Sequence, residues 1–457
     1  MSFKIINLIV YFTYTFSYII FPLYTFSQNE YENTINNLLN HKLYTYLTIG
    51  DPPQKIVALI MPDEYPLYIY NNLCEINSNF IVEKSKTYIA AKYEVQYLTN
   101  ITLSYLIKDK FEFEFNETNE KKYIKSIIYH YRPYNNSNVK LEKKYPYTCA
   151  YIGLKIPKYN SEEYSHSLFL QLKKLRIINN QIFFIIYKKD NEGKLIIGDY
   201  PEIYEPNNYK RYQLKTIYSL YFDNKYNWRL KFNSIVFEKQ NKEISLNNLD
   251  ANIDLTSELF FSPKEYMDEI YQNFFETKIN KGLCQKKYAD KNKEYFSCNS
   301  LETIKDFPIL YIRHSFLLYT FELNYNDLFK EINNEYIFLI CYNKEFENEW
   351  VFGKPFLKKY LFAFNYDEKV IGFYNPLINE NGELIENNNE LSYNKYSNKK
   401  IIIFTIIILI FVFVIFFIIS KRIYRKRKNN QIWQNNKQNP KIQELFYTNI
   451  DKDKNIN

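Results

Sequence analysis

The sequence predicts a mostly β fold with an apolar segment on each side of the folded region. Short runs of β-branched and aromatic residues alternate with polar breaks, which is the pattern of strands; the clearest runs are residues 181–187, 194–197, 228–237 and 336–341. Helical periodicity is scarce. The best helix candidate covers residues 265–277, where apolar side chains are spaced for one face.

The first apolar segment has the features of a secretory signal peptide. Lys4 precedes an apolar, aromatic-rich run that extends to about residue 26. Thr25 and Ser27 are small residues of the kind that signal peptidase accepts, here just before Gln28. We therefore assign residues 1–27 to a signal peptide. An uncleaved anchor is the alternative, because the run is longer than the usual hydrophobic core of a signal.

The second apolar segment, residues 401–420, has the length and composition of a transmembrane helix. It has no charged residue, and as a helix twenty residues span about 30 Å of hydrocarbon. Six Lys or Arg follow within residues 421–428, and positive charge stays on the cytoplasmic side. We expect a single-pass type I membrane protein of the secretory pathway, with a luminal or extracellular region (28–398) and a cytosolic C-terminus.

The charge distribution gives no reason to expect a nucleic-acid partner. The chain carries a net charge of +8, of which residues 421–457 supply +7 through ten Lys/Arg and three Asp/Glu. A basic tail beside a membrane span is a retention signal and a contact for anionic lipid. The four His residues are scattered without ligand spacing, so we expect no metal and no other cofactor.

Between the apolar segments, seven short motifs occur in the order found in eukaryotic pepsin-like (plasmepsin-like) aspartic proteases, and the chain is identified as a member of that family with a degenerate catalytic site. The family's "Y-x-x-I-G-T-P-P-Q", "I-L-G-L-G", "S-x-F-x-x-L" and "G-G-E-L-x-L-G-G" resemble residues 46–54, 152–154, 167–172 and 192–198. Its "W-x-x-x-M-D-S-I", "C-x-x-L-x-x-L-P-x-I" and "L-G-D-x-F-L-R-x-Y" resemble residues 228–235, 298–309 and 352–360.

The resemblance implies a bilobal fold, with an N-terminal lobe over residues 28–205 and a C-terminal lobe over 206–377. A polar linker (378–400), the membrane helix (401–420) and a basic tail (421–457) would follow. It also implies peptide hydrolysis by two facing aspartates. Two close carboxylates share one proton, so that together they serve as base toward water and as acid toward the carbonyl oxygen.

The first of these aspartates is missing. Counting from Pro52-Pro53-Gln54, the family's "F-D-T-G-S-S" reads Ile60-Met61-Pro62-Asp63-Glu64-Tyr65, so Met61 stands at the first catalytic position. A thioether carries neither a charge nor a proton to share. Asp63 lies two residues further on, about 6.5 Å along a strand, and would substitute only if the loop were rebuilt. A solvent-exposed loop acid is the simpler interpretation.

The second aspartate is retained in an altered turn. The family's "A-I-V-D-T-G" resembles Ala251 to Thr256, which puts Asp254 at the second catalytic position, although Leu255 and Thr256 replace Thr and Gly. A turn carboxylate capped by neighbouring hydroxyl groups is the structural alternative. Tyr97 matches the tyrosine of the flap that closes over substrate. The glycine-containing flap tip is lost, and Asn100 there begins a glycosylation sequon.

The sequence also predicts a disulfide and sites of glycosylation. By the resemblance, Cys298 and Cys341 form the disulfide of the second lobe; Cys74, Cys149 and Cys284 have no obvious partners, although Cys284 is near Cys298 in sequence. Asn116 and Asn135 begin two further sequons.

The leading functional hypothesis is an inactive protease homologue that binds a peptide or protein in its interlobe cleft, which needs no catalytic pair. An active endopeptidase that uses Asp254 with an acid such as Asp63 is one alternative. An adhesive or structural ectodomain is the other.

Overall fold

The computed structural model describes residues 18–25, 38, 42–62, 66–70, 81–95, 104–115, 120–132, 150–155, 166–188, 192–218, 228–237, 243–314, 319–376, 419–426, 428 and 430. The chain divides into two compact units, residues 1–385 and 386–457. In the second unit the described residues are helical. In the first unit most of the described residues lie in strands, which confirms the mostly β prediction.

Thirteen of the described strands form the first sheet, in the spatial order β11-β24-β23-β9-β10-β1-β2-β3-β8-β4-β7-β6-β5. Its strands are β1 Ile19–Thr25, β2 Leu43–Ile49, β3 Gln54–Met61, β4 Leu67–Tyr70, β5 Ile89–Val95, β6 Ser104–Phe115, β7 Glu120–Arg132, β8 Ala150–Gly153, β9 Ile182–Tyr187, β10 Glu192–Ile197, β11 Tyr212–Tyr218, β23 Ala363–Asn365 and β24 Val370–Pro376.

Eleven of the described strands form the second sheet, in the order β18-β17-β12-β13-β22-β14-β21-β16-β20-β19, with β15 paired to β16. They are β12 Arg229–Phe237, β13 Glu243–Ile253, β14 Phe260–Ser262, β15 Cys284–Asp290, β16 Lys293–Cys298, β17 Leu310–His314, β18 Thr320–Leu323, β19 Phe329–Ile332, β20 Glu335–Phe338, β21 Ile340–Asn343 and β22 Trp350–Phe352.

The described helices of the first unit are short. They are α1 Leu168–Lys174, α2 Pro201–Tyr204, α3 Pro206–Tyr209, α4 Lys264–Ile270, α5 Glu276–Asn280, α6 Leu301–Lys305, α7 Tyr325–Leu328 and α8 Lys354–Tyr360. The helix predicted over residues 265–277 is confirmed as α4, a π turn at Tyr271–Phe275 and the start of α5. It begins after Pro263, whose fixed φ suits a helix start.

Strand pairing in the first sheet crosses the predicted boundary between the lobes at residues 205 and 206. Strands β11, β23 and β24 come from the predicted C-terminal lobe (206–377) but join the first sheet, where β23 pairs with β9. The second sheet therefore uses only residues 229–352. Three C-terminal strands thus tie the two halves of the chain into one hydrogen-bonded layer.

The N-terminal strand also differs from expectation. Residues 19–25 lie within the predicted signal segment (1–27), yet they form β1, between β10 and β2 in the first sheet. Ile19 and Leu23 are almost completely buried. Residues 1–17, 26 and 27 lie outside the described residues.

The disulfide predicted between Cys298 and Cys341 is wrong. Cys298 bonds to Cys284, because β15 and β16 form an antiparallel pair in which these two cysteines are direct cross-strand neighbours. Cys341 lies on β21 as a buried free thiol, whose Sγ donates to the Phe338 carbonyl. Burial raises its pKa, which makes it an inert apolar side chain.

Several other predicted features lie outside the described residues. Among them are Asp63, Tyr97, the sequon residues Asn100, Asn116 and Asn135, and Cys74 and Cys149. The predicted membrane helix (401–420) is described only at residues 419 and 420. Within the described part of the chain, no helix is long and apolar enough to cross a membrane.

We predict that Cys284→Ser lowers the free energy of unfolding by about 3 kcal/mol, because loss of the Cys284–Cys298 link frees a loop of 14 residues in the unfolded chain. Cys341→Ser is the matched control and should keep the crosslink. Non-reducing peptide mapping should recover the 284–298 pair, and a crosslinked 298–341 peptide would contradict the assignment.

A second prediction concerns Asp199, which follows β10 and is half-buried. Burial raises the pKa of its carboxyl to about 6, against hydrogen bonds from Tyr200 N–H and Asn180 that lower it. An unfolded Asp has a pKa of about 4, so ionisation of Asp199 opposes folding, and stability falls as the pH rises through about 6.

Asp199→Asn should therefore raise the melting temperature at pH 7.5, by the equivalent of at most about 3 kcal/mol, and should have little effect at pH 4. Glu302→Gln, on the exposed side of α6, is the control. An equal effect of Asp199→Asn at both pH values would show that burial of the charge is not the cause.

Candidate active site

Two turns occupy equivalent places in the two sheets. In the first sheet, β3 runs parallel to β8, with Ile60 opposite Ile152 and Met61 opposite Gly153. In the second sheet, β13 runs parallel to β22, with Ile253 opposite Phe352. The next residues in that register are Asp254 and Gly353. Met61 and Asp254 are therefore equivalent in strand register: Met61 is beside Gly153, which ends β8, and Asp254 is beside Gly353, which directly follows β22.

Gly353 has no room for a side chain. A Cβ atom there would lie 2.3 Å from the Leu259 carbonyl oxygen and 2.5 Å from that of Ser257, which are backbone atoms that cannot move aside. The Lys354 N–H then donates to the Ser257 carbonyl at 2.8 Å. This close approach presses the start of α8 against the residues that follow Asp254.

The carboxylate of Asp254 is held by its own turn, residues 254–257. Its Oδ1 atom accepts hydrogen bonds from Thr256 N–H at 2.8 Å, Thr256 Oγ1 at 2.8 Å and Ser257 N–H at 3.1 Å. The Asp254 N–H donates to the Phe352 carbonyl at 2.9 Å, which anchors the turn to β22. The Asp254 carboxylate thus caps its own turn. The described residues supply no hydrogen bond to this carboxylate from outside the turn.

The turn at Met61 is built from different groups. Met61 ends β3 with its side chain partly exposed, and its carbonyl accepts from Leu154 N–H at 2.9 Å. Pro62 follows and has no N–H to donate. Gly153 N–H donates to the Pro66 carbonyl at 3.2 Å, and this hydrogen bond connects the end of β8 to the residue just before β4.

Each turn is braced by hydrogen bonds from aromatic side chains that are distant from it in sequence. Tyr187 on β9 donates its hydroxyl to the Leu255 carbonyl at 3.0 Å. In the opposite direction, Trp228 Nε1–H donates to the Leu154 carbonyl at 3.2 Å, and the Tyr366 hydroxyl donates to the same oxygen. Burial raises the pKa of Tyr187, and the charges of Asp254 and Glu258 raise it further, so this hydroxyl stays a donor.

A buried ion pair lies beside the Asp254 turn. Lys354 Nζ is 2.9 Å from Glu258 Oε1, and both side chains are nearly inaccessible. Lys330 and Lys358, which are partly exposed, lie 3.7 and 4.0 Å from Glu258 Oε2. Burial alone would raise the pKa of Glu258, but these three ammonium groups outweigh it and lower the pKa to about 2. The local charge is therefore positive.

The sequence interpretation missed these residues, although one signal was available. In the motif "L-G-D-x-F-L-R-x-Y" the residue after Gly353 should be an acid, and this chain has Lys354. Glu258 and Tyr187 carry no motif of their own, and only the fold brings them to the Asp254 turn. No group of three metal-ligating side chains occurs among the residues that the structure describes.

We predict that Lys354→Met lowers the free energy of unfolding by about 3–5 kcal/mol at pH 7, because it leaves the buried Glu258 carboxylate without its nearest cation. Lys358→Met, at 4.0 Å and more exposed, should cost less than about 1 kcal/mol. The double variant Lys354→Met/Glu258→Leu should recover most of the loss, whereas an additive further loss would contradict the pairing.

The dependence of the free energy of unfolding on pH in the acid range provides an independent test of the Glu258–Lys354 pair. The pKa of Glu258 is depressed, so its stabilising effect is present above the unfolded pKa of about 4.3 and is lost as the pH falls toward 2.

Comparison with known proteins agrees with this architecture. The family model for eukaryotic aspartyl proteases matches residues 44–375, which include both turns, the second sheet, and the first sheet apart from β1 and one end residue each of β2 and β24. No curated protein matches the chain. Since the matched region covers well over half of the sequence, the chain belongs to the eukaryotic aspartyl protease family.

Proposed function

We propose that this family member is catalytically inactive, is anchored in a membrane by residues 401–420, and uses its interlobe cleft to bind a peptide or protein. The observation that carries the proposal is the equivalent register of Met61 and Asp254. A working pair needs a carboxylate at both places. Here one place holds a thioether that can neither share a proton nor accept one.

The surroundings of Asp254 support the same conclusion. Its Oδ1 accepts three hydrogen bonds, all of them from its own turn. Glu258, the next acid along the chain, is paired to Lys354. A family protease needs one carboxyl of the pair to carry a proton. Without a second carboxyl to share its proton, Asp254 alone does not supply both the base and the acid of peptide hydrolysis.

Binding does not require the missing acid. Extended peptides are held in such clefts by main-chain hydrogen bonds and by pockets for alternate side chains. The framework for a cleft is intact, because the strand pairs under both turns and the hydrogen bonds that brace them are retained. We therefore assign the retained function to recognition of an extended segment of a peptide or protein.

The proposal predicts no peptide hydrolysis above background. The full chain in detergent would be incubated with a mixed peptide library from pH 3 to 7, with cleavage read by mass spectrometry. Wild type and Asp254→Ala should give the same product profile. Since the acid–base steps of catalysis are worth factors of about 10²–10⁴ each, an active enzyme would be clearly separated from its Asp254→Ala variant.

Cleavage by wild type that disappears in Asp254→Ala would overturn the inactive assignment. In that case Asp63→Ala tests the alternative pair directly, because loss of cleavage in both variants would identify Asp63 as the partner. Asp199→Asn, remote from the Asp254 turn in sequence and in hydrogen bonding, serves as the control.

Cleft binding predicts that Tyr97→Ala weakens capture of library peptides at least several-fold, if this tyrosine closes over the ligand as the resemblance implies. Tyr88→Ala, at an exposed tyrosine just before β5, is the matched control. An unchanged set of captured peptides or proteins in Tyr97→Ala would favour an adhesive or structural ectodomain that does not use the cleft.

A further inference from the structure

Strand β1 is part of the folded core. Its register with β10 runs unbroken from Ile19 opposite Ile197 to Tyr24 opposite Glu192. Its other edge pairs with β6 at one end and with β2 at the other. Ile19, Ile20, Phe21 and Leu23 are all buried, with exposed fractions of 0–4%. The strand is therefore held by backbone hydrogen bonds and by apolar packing along its whole length.

Cleavage after Ser27 would delete this strand. The inner edge of β10 would lose its partner, and the apolar side chains that cover the first sheet would be removed from the core. Unpaired backbone groups and lost apolar burial are both unfavourable, and folded domains are only marginally stable. A mature protein that begins at Gln28 is inconsistent with the observed sheet.

The sequence contains a second cleavage signature ten residues earlier. The tetrapeptide Tyr-Thr-Phe-Ser occurs at residues 14–17 and again at residues 24–27. Both copies place small residues at the two positions that signal peptidase reads, Thr15 and Ser17 in the first copy. Cleavage at the first copy leaves an apolar stretch of residues 5–13 after Lys4, which lies within the usual length of about 7–15 residues.

We propose that the Ser17–Tyr18 peptide bond is the processing site, cut by a membrane-bound signal peptidase. Water adds across the bond, so that the leader leaves with the Ser17 carboxylate and the mature chain begins with the Tyr18 amino group. Tyr18 is the first residue that the structure describes, and its ring packs edge-on against Tyr204 at 5.3 Å between centroids. The proposal rests on the membrane anchoring given under Proposed function, reached through the secretory pathway that the sequence predicts.

The test is the N-terminus of the full chain, expressed in eukaryotic cells and purified from membranes, read by mass spectrometry. We expect Tyr18. Ser17→Lys should abolish or shift cleavage, because a large charged residue does not fit the small-residue site, whereas the matched variant Ser27→Lys should still begin at Tyr18. An N-terminus at Gln28, or a block by Ser27→Lys alone, would overturn the proposal.

An N-terminus at Met1 would also overturn the proposed cleavage. Cell fractionation then separates two failures: a membrane-inserted chain that begins at Met1 leaves the secretory location standing, whereas a cytosolic one refutes both.

Thermal unfolding of the purified protein gives a second readout. Leu23 is buried in β1, whereas the neighbouring Pro22 is exposed. If the segment is retained, Leu23→Ala should lower the melting temperature by several degrees and Pro22→Ala by much less. If cleavage removed residues 18–27, both variants would yield the same mature protein and identical melting curves.

Discussion

The geometry of the candidate site depends on one close approach of backbone to backbone. At Gly353 the chain passes under the Asp254 turn with no space for a Cβ atom, since carbonyl oxygens of Ser257 and Leu259 fill that space. This contact fixes the entry of α8 and the position of Lys354. The parallel pairs β3–β8 and β13–β22 repeat the arrangement in the two sheets. The scaffold of a two-carboxylate site is thus present, and the residues carried on it decide the chemistry.

Those residues change the electrostatics of the site as well as its acid content. A pair of aspartates works because two like charges compete for one proton. Here the residue that follows Gly353 is a buried lysine paired to Glu258, with two further lysines close by. Asp254 is a hydrogen-bonded cap of its own turn, and Lys354 and Glu258 form a buried ion pair beside that turn.

The parts of the fold that sequence patterns predict are those set by local periodicity. The strands over residues 181–187 and 228–237 and the helix around Tyr266 follow from apolar spacing, and the motif order led to the right family. The disulfide was mispredicted because the pairing was carried over from the family resemblance, whereas the register of β15 with β16 decides it. Cys284 is directly opposite Cys298 in that antiparallel pair, and Cys341 is a buried free thiol on β21.

Strand β1 is a second feature that sequence patterns alone did not predict correctly. A run such as Ile19–Thr25 is apolar enough for a signal peptide and equally suited to a central strand, and composition does not distinguish these roles. Its pairing with β10, about 170 residues away in sequence, identifies the run as a strand of the sheet.

By itself, then, the sequence determined which residues stand at the motif positions: Met61, Asp254, and Lys354 where the family motif has an aspartate. Only the tertiary structure decided how Asp254 is held and which charges surround it, since Glu258, Lys330 and Lys354 converge from separate strands and helices. The physical reason is that residue identity is local, whereas hydrogen-bond saturation and charge pairing depend on distances between segments far apart in the chain.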